Sequence, residues 1–160
     1  MSQTTAPREQ MREGALGLVA HHFGPSNVLS KINSTDTVFF GRAVVHKVAD
    51  GEDGVEMPTA APTFQTLEGI SMATRAIIDT GAGIEPGYQP MDSINVARKG
   101  YVWVKIDVDI VKGDPVHILS AAGKEGVFSN AGGFDATGRM RWERGGLAAD
   151  GIALLEINLV

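Results

Sequence analysis

An alternation of apolar and polar residues between positions 101 and 110 constrains the fold more than any other feature of this sequence. In the stretch YVWVKIDVDI, valine and isoleucine occupy the even positions, whereas Trp103, Lys105, Asp107 and Asp109 occupy odd ones. A period of two places successive side chains on opposite faces of a β-strand, while an α-helix would scatter the same residues around its axis. The stretch therefore predicts a strand with one buried and one solvated face.

The residues that flank this strand predict a hairpin and a preceding turn. Gly113 and Asp114 favour a turn, and Pro115 excludes a central ladder position at its own site. The run VHIL follows, and we expect it to pair with the strand before the turn. We interpret SINVARKG as a separate short strand that ends in a turn at Lys99–Gly100.

The rest of the chain predicts short strands separated by turns. The stretches TVFFGRAVVHKV, TLEGISMATRA, EGVFS and GIALLEINLV are typical of strands, and GRMRWERGG is interpreted as a short polar strand or a turn. The 20 glycines amount to about twice the ordinary share. This pattern predicts an all-β fold, an antiparallel β-sandwich or a jelly-roll-like barrel.

The first 37 residues lack this pattern. Their apolar residues are interrupted by glycine and proline, and SNVLSKINSTDT is polar. We expect an N-terminal arm over residues 1–37, extended or loosely packed, followed by the β-sandwich or barrel domain over residues 38–160.

Composition and charge exclude several functions. The absence of cysteine removes disulfides, thiolate zinc sites and cysteine nucleophiles. A net charge of −5 without a cluster of Lys or Arg argues against nucleic acid as a partner. No apolar stretch approaches the length that spans a bilayer, and the N-terminus lacks the apolar core of a signal peptide, so we expect no membrane partner.

Asp107 and Asp109 are the strongest candidates for catalytic chemistry. On one face of a strand their side chains would lie about 7 Å apart, which suits paired catalytic carboxylates or a metal site. The alternation nevertheless explains both as residues of the solvated face, with Lys105 as an ion-pair partner for Asp107. We expect no catalytic residue, no metal and no other cofactor.

One triplet favours a different hypothesis. Asp79-Thr80-Gly81 follows an apolar stretch and resembles the active-site triplet of aspartic proteases. The flanking sequence does not supply the remainder of that fold. A small aspartic-protease-like enzyme is therefore kept as the third hypothesis.

The remaining distinctive residues suit contacts with another protein. Trp103 falls on the solvated face of its strand, where either a loop or a neighbouring subunit would cover it. Trp142 lies among charged residues and either anchors a contact with a polar rim or covers the domain locally. Adjacent histidines in the arm lack the spacing of dedicated metal sites. The candidate protein-contact residues are Leu18, His21, His22, Phe23, Trp103 and Trp142.

The order of these segments resembles the structural cement, or capsid decoration, proteins of tailed bacteriophages. The segments FFGRAVVHK with the following GEDGVEMPTA, LEGISMAT, and INVARKGYVWVKIDVDIVKGDPVHI are similar to successive strands and turns of that family. GVFSNAGG and the closing GIALLEINL extend the resemblance over residues 36–160. The arm matches least, and Ile118 stands where the family commonly has an aromatic residue.

This resemblance implies a non-enzymatic structural protein. It would bind the outer surface of an assembled phage head, bridge subunits of the major capsid protein, and form a homo-oligomer, a dimer or trimer, on local symmetry axes. It would be made in the host cytoplasm and end on the virion surface. The alternative is a β-sandwich module of a virion that binds carbohydrate or a host surface, with Trp103 and Trp142 as stacking platforms.

Overall fold

The computed structural model describes residues 16–18, 27–73 and 85–160. Within these ranges the chain forms strands and one 3₁₀ turn at Val48–Asp50, and it contains no α-helix. No helix in the described ranges has the length and apolar character needed to cross a bilayer. The strands are β1 (Asn27–Ile32), β2 (Val38–Phe39), β3 (Ala43–His46), β4 (Val55–Glu56), β5 (Leu67–Ser71), β6 (Gly87–Tyr88), β7 (Ser93–Lys105), β8 (His117–Ile118), β9 (Phe128–Ser129), β10 (Phe134–Asp135), β11 (Met140–Arg144) and β12 (Ile152–Asn158).

The described strands form three antiparallel sheets. The main sheet follows the order β11–β12–β7–β5–β3–β4, and β1 also pairs with β7. A second sheet has the order β10–β8–β9, and β2 pairs with β6. The all-β class is confirmed, and the sheets do not close into a barrel.

β7 is the central strand of the main sheet, and its buried face is the one that the sequence predicts. Val102, Val104 and Ile106 are all at most 1% exposed, while the alternate residues between them are half-buried. The strand ends earlier than predicted, at Lys105, because the chain bends at positions 107 and 108. The pleat therefore accounts for the pattern up to the bend.

The predicted turn at Lys99–Gly100 is wrong, because β7 runs without interruption from Ser93 to Lys105. Gly100 has a φ of 136° and continues the strand. This region of φ is open to glycine but strained for residues with a Cβ. A glycine that reads as a turn signal therefore lies inside the longest strand.

The predicted hairpin between the strand at 101–110 and the run VHIL is also wrong. His117 and Ile118 pair with β9 and β10 in the second sheet. After β7 the chain leaves the main sheet. In the segment that follows, Ile106 forms a parallel bridge with Phe128, and Ile110 forms backbone hydrogen bonds with Gly146. The turn at Gly113 thus connects two sheets.

β7 contributes to both hydrophobic clusters because its apolar side changes along its length. Ile94 and Val96 belong to a smaller cluster with residues of β2, β3 and β6, whereas Val102 and Val104 belong to the larger one. The change coincides with a register shift that leaves Arg98 without a partner in the β1–β7 pair. An extra residue of this kind is a β-bulge, and it exchanges the two faces of a strand.

The larger cluster joins the main sheet to the second sheet. It combines β7 and β12 side chains such as Leu155 and Ile157 with Ile118 of β8 and Phe128 of β9. Each of these residues is completely buried. Apolar burial therefore joins the two sheets and stabilises this part of the fold.

The predicted arm over residues 1–37 needs a correction at its C-terminal end. Asn27–Ile32 is extended, as predicted, but it is a strand that pairs with β7 along its whole length. Asn33 is completely buried, and its side chain donates a hydrogen bond of 2.9 Å to the carbonyl of Val55. These residues belong to the folded domain, and they are neither a separate arm nor loosely packed.

Candidate interaction site

Two of the predicted contact residues, Leu18 and Trp103, meet at the edge of β7. The backbone N–H of Trp103 donates to the carbonyl of Leu18 at 3.0 Å. The carbonyl of Trp103 accepts from the backbone N–H of Gly17 at 2.7 Å. The carbonyl of Gly17 in turn accepts from Ala73, which follows β5. Residues 16–18 therefore lie between β7 and the end of β5, and the Trp103 side chain beside them is half-buried.

Gly17 is required for this close approach. Its φ is 77°, and a Cβ at this position would lie 2.4 Å from the backbone nitrogen of Ala73. A side chain would displace the backbone here, and the left-handed conformation adds strain for other residues. The sequence contains this glycine in an unpatterned region, so only its pairing in three dimensions explains it.

The prediction that Trp142 is a surface contact is wrong. Its side chain is 1% exposed, and its ring meets Phe128 edge to face at a centroid distance of 6.3 Å. The indole N–H donates to the carbonyl of Pro115 at 3.1 Å, which satisfies the buried polar group. Trp142 is a core residue, so it cannot serve as a stacking platform for a carbohydrate.

Other predicted residues lie outside the described ranges. His21, His22 and Phe23 of the arm belong to this group, and so does the triplet Asp79-Thr80-Gly81. The contact role of the first three and the aspartic-protease hypothesis stay predictions.

Asp107 and Asp109 interact with different partners, one in an ion pair and the other in a hydrogen bond to the backbone. Oδ2 of Asp107 accepts from Nζ of Lys124 at 3.0 Å, where the sequence predicts Lys105 as the partner. Oδ1 of Asp109 accepts from the backbone N–H of Ala148 at 2.7 Å. The described residues contain no group of three or more His, Asp or Glu that could hold a metal ion.

An exposed apolar pair was missed by the sequence analysis. Val111 and Leu147 are 66% and 57% exposed, on two neighbouring loops. Reciprocal backbone hydrogen bonds of 2.8 and 3.1 Å between Ile110 and Gly146 hold these loops together. The signal was present in the sequence, since Val111 is an apolar residue at an odd position that the alternation reserves for polar ones. We call Val111 and Leu147 the apolar loop pair.

Lys47 lies at the centre of a buried polar network at the other end of the main sheet. Its Nζ is 3.2 Å from both Oδ1 of Asn33 and Oδ2 of Asp50, and it also donates to Thr35. Burial alone would lower the pKa of Lys47, but the hydrogen bonds and charges of Asp50 and Asp36 outweigh it, so that the pKa is raised. The network fixes the turn after β1 against the 3₁₀ turn.

The carboxylate of Asp50 is stabilised in its charged form. Hydrogen bonds from the side chain and the backbone N–H of Ser34 lower its pKa, burial opposes them, and Lys47 lowers the pKa further. This end of the sheet therefore contains an ion pair in which each partner satisfies the other.

Arg42 joins three segments of the chain. Its guanidinium donates to both carboxylate oxygens of Glu85 at 2.8 Å and to the carbonyl of Glu125 at 3.1 Å. Arg42 is only 5% exposed, and its guanidinium carbon lies 4.9 Å from the ring centroid of Phe39. A buried arginine with paired donors of this kind stabilises a specific arrangement of loops.

The described residues thus present apolar side chains suited to protein contacts, and they use their buried charges in structural bonds. This combination suits a protein that acts by binding another protein. In agreement, the chain matches over residues 2–158 the profile of the phage family described as structural cement protein (E217 gp24/Pam3 gp6). The chain belongs to this family, and its role is that of a phage cement protein.

A solved structure supports the same fold. A chain from the capsid of Myoviridae phage XM1 matches with a TM-score of 0.68 and 18% sequence identity, over 90% of this chain and 89% of that chain. Identity this low shows a shared fold alone. A search of curated proteins finds no match to this chain.

Proposed function

We propose that this chain binds the outer surface of an assembled phage head and bridges neighbouring subunits of the major capsid protein. The observation that carries this proposal is the family match over residues 2–158. A protein that binds only the assembled shell stabilises that shell by mass action. Many copies on a symmetric shell add avidity, so a single contact need not be strong.

The apolar loop pair is the best candidate for the capsid contact. Val111 and Leu147 protrude from loops that are fixed to each other by backbone hydrogen bonds. A rigid apolar projection binds with a small loss of conformational entropy. Leu18 and Trp103, together with the arm residues before β1, are proposed as a second part of the contact surface.

The proposal includes self-association and a location. We expect a dimer or trimer on local symmetry axes of the head, because repeated copies then meet equivalent capsid surfaces. The protein would be made in the host cytoplasm and added to the outside of the virion. It acts by binding and needs no catalytic step.

The experiment adds the purified protein to undecorated phage heads. Co-sedimentation measures binding, and the temperature at which heads release DNA measures stabilisation. We expect saturable binding and a higher release temperature for decorated heads. Failure to bind assembled heads, or equal binding to unassembled capsid subunits, would contradict the proposal.

A matched pair of variants locates the contact. Val111→Ser with Leu147→Ser should weaken head binding by about tenfold or more, because two apolar side chains lose their burial. The control is Met91→Ser, which removes a side chain of similar exposure, 65%, from a different loop. Equal binding by both variants would place the capsid contact elsewhere on the protein.

A further inference from the structure

The loop between β3 and β4 is acidic and exposed. Its exposed carboxylates are those of Glu52 and Asp53, which we call the acidic turn. Asp50 of the same loop belongs to the Lys47 network and is not part of this surface. Glu52 is exposed and forms no ion pair within the described ranges. The Asp53 side chain is 77% exposed, and its Oδ1 lies 3.7 Å from Nζ of Lys31, a pair that solvent screens. Val48 in the same loop is 81% exposed, so an apolar side chain projects beside these charges.

The opposite charge collects on β11 and the residue before it. Arg139, Arg141 and Arg144 are all exposed, and we call them the arginine patch. Arg139 and Arg144 form no ion pair within the described part of the chain, while Arg141 is paired with Glu156. A shallow, open cavity of about 340 Å³ lies beside these arginines. Its lining is mostly polar and consists of Thr137, Gly138, Arg139, Met140, Arg141, Glu156 and Asn158.

These two surfaces lie far apart on one chain. The acidic turn bonds to Ile32, which pairs with Ser93 at the start of β7. Glu156, the partner of the arginine patch, pairs with Tyr101 near the other end of β7. Tyr101 lies eight positions after Ser93, which is about 25 Å of extended strand. The acidic turn therefore cannot neutralise the arginine patch of its own chain.

We propose that the acidic turn of one copy docks against the arginine patch of the next copy, with Val48 entering the cavity beside Arg139. Two copies that each carry a net charge of −5 repel unless opposite charges are brought together, and this pairing does so. A contact between two different surfaces repeats from copy to copy and closes into a ring when the rotation permits. The inference rests on the proposed self-association and names the contact that produces it.

The test uses charge reversal on each surface. The turn variant carries Glu52→Lys and Asp53→Lys, and the patch variant carries Arg139→Glu and Arg144→Glu. In each variant the two docking surfaces have the same charge, so we expect self-association at least about tenfold weaker than in the wild type. In an equimolar mixture the turn of each variant faces a patch of opposite charge on the other variant, so mixed dimers at least should form. A closed trimer cannot alternate the two variants, so recovery is scored as mixed dimers.

Sedimentation velocity at low and high salt measures the association, and near-ultraviolet circular dichroism checks that each variant is folded. Asp150→Lys, a charge reversal on another exposed loop, is the control and should associate like the wild type. If a double variant fails to fold, the single changes Glu52→Lys and Arg139→Glu replace it. Salt should weaken the wild-type association, since the contact is electrostatic.

Three results would overturn the inference. They are a wild-type protein that stays monomeric at concentrations that saturate heads, variants that associate like the wild type, and a mixture that does not recover association. Head binding by the same variants separates this inference from the proposed function. If the patch variant loses head binding while the wild type is monomeric, the arginine patch contacts an acidic capsid surface, and the cement role stands without this contact.

Discussion

The two ends of the main sheet are held together by different interactions. At the β11 end, Trp142 and Met140 are buried in the larger apolar cluster. At the β4 end, Lys47 is buried between Asn33 and Asp50, with 11% of its side chain exposed. Apolar burial is not directional, whereas a buried charge is stable only while its partners are in place. The stability of the β11 end therefore depends on how its apolar side chains pack. The stability of the β4 end depends on the charged states of Lys47 and Asp50.

The comparison is tested most strongly at Trp142. Trp142→Ala removes a buried indole and leaves the carbonyl of Pro115 without its hydrogen bond. We expect a loss of about 3–5 kcal/mol in the free energy of unfolding, measured by urea denaturation. The control is Trp103→Ala, whose side chain is half-buried and should cost clearly less. Equal losses at both positions would show that burial does not distinguish the two tryptophans.

The β4 end should respond to acid. Asp50 has a pKa below its ordinary value of 3.8, because Ser34 hydrogen bonds and Lys47 favour the charged form. A carboxyl whose pKa is lowered by folding contributes stability above its unfolded pKa, and this contribution is lost as the pH falls through the folded pKa. The wild type should therefore lose stability below about pH 4.

Asp50→Asn isolates this contribution. The variant should unfold at a lower urea concentration than the wild type at neutral pH, and the difference should shrink on acidification. Some acid sensitivity remains, because hydrogen bonds from Thr137 also lower the pKa of Asp135. Asp36→Asn is the control, since Asp36 also faces Lys47 but its side chain is 64% exposed. An unchanged difference between pH 7 and pH 3 would contradict a role for Asp50 ionisation.

The sequence contains a signal for the β11 end of the main sheet but not for the β4 end. The residues from Met140 to Glu143 alternate in the same way as β7, so the same rule would have assigned Trp142 to the buried face. Its charged neighbours favour either a contact with a polar rim or a local cover of the domain, so they leave its burial open. The network of Lys47 has no comparable signal, because Asn33 and Asp50 come from different turns and meet only after β1 and β4 approach each other.

Pairing partners were the least predictable part of the fold. The alternation identifies the faces of β7 from local sequence, but the choice between β9 and β7 as the partner of His117 depends on burial between sheets. The candidate site shows the same division. The sequence predicts Leu18 and Trp103 as candidate protein-contact residues. It does not predict the backbone hydrogen bond between them, which depends on the close approach that Gly17 permits.

The smallest effect is expected at Asp107, and it sharpens the contrast with Asp50. Both carboxylates pair with a lysine, but Lys124 is 54% exposed and so its attraction to Asp107 is screened by solvent. The other oxygen of Asp107 is buried without a partner among the described residues. Asp107→Asn should therefore change the free energy of unfolding by less than about 1 kcal/mol, because the lost ion pair is offset by a lower cost of burying a neutral group. Lys124→Met provides the matched control, and urea denaturation at low and high salt measures both. A loss as large as that of Trp142→Ala would mean that the bend after β7 also depends on a charge, and it would remove the distinction between the buried network and the surface ion pair.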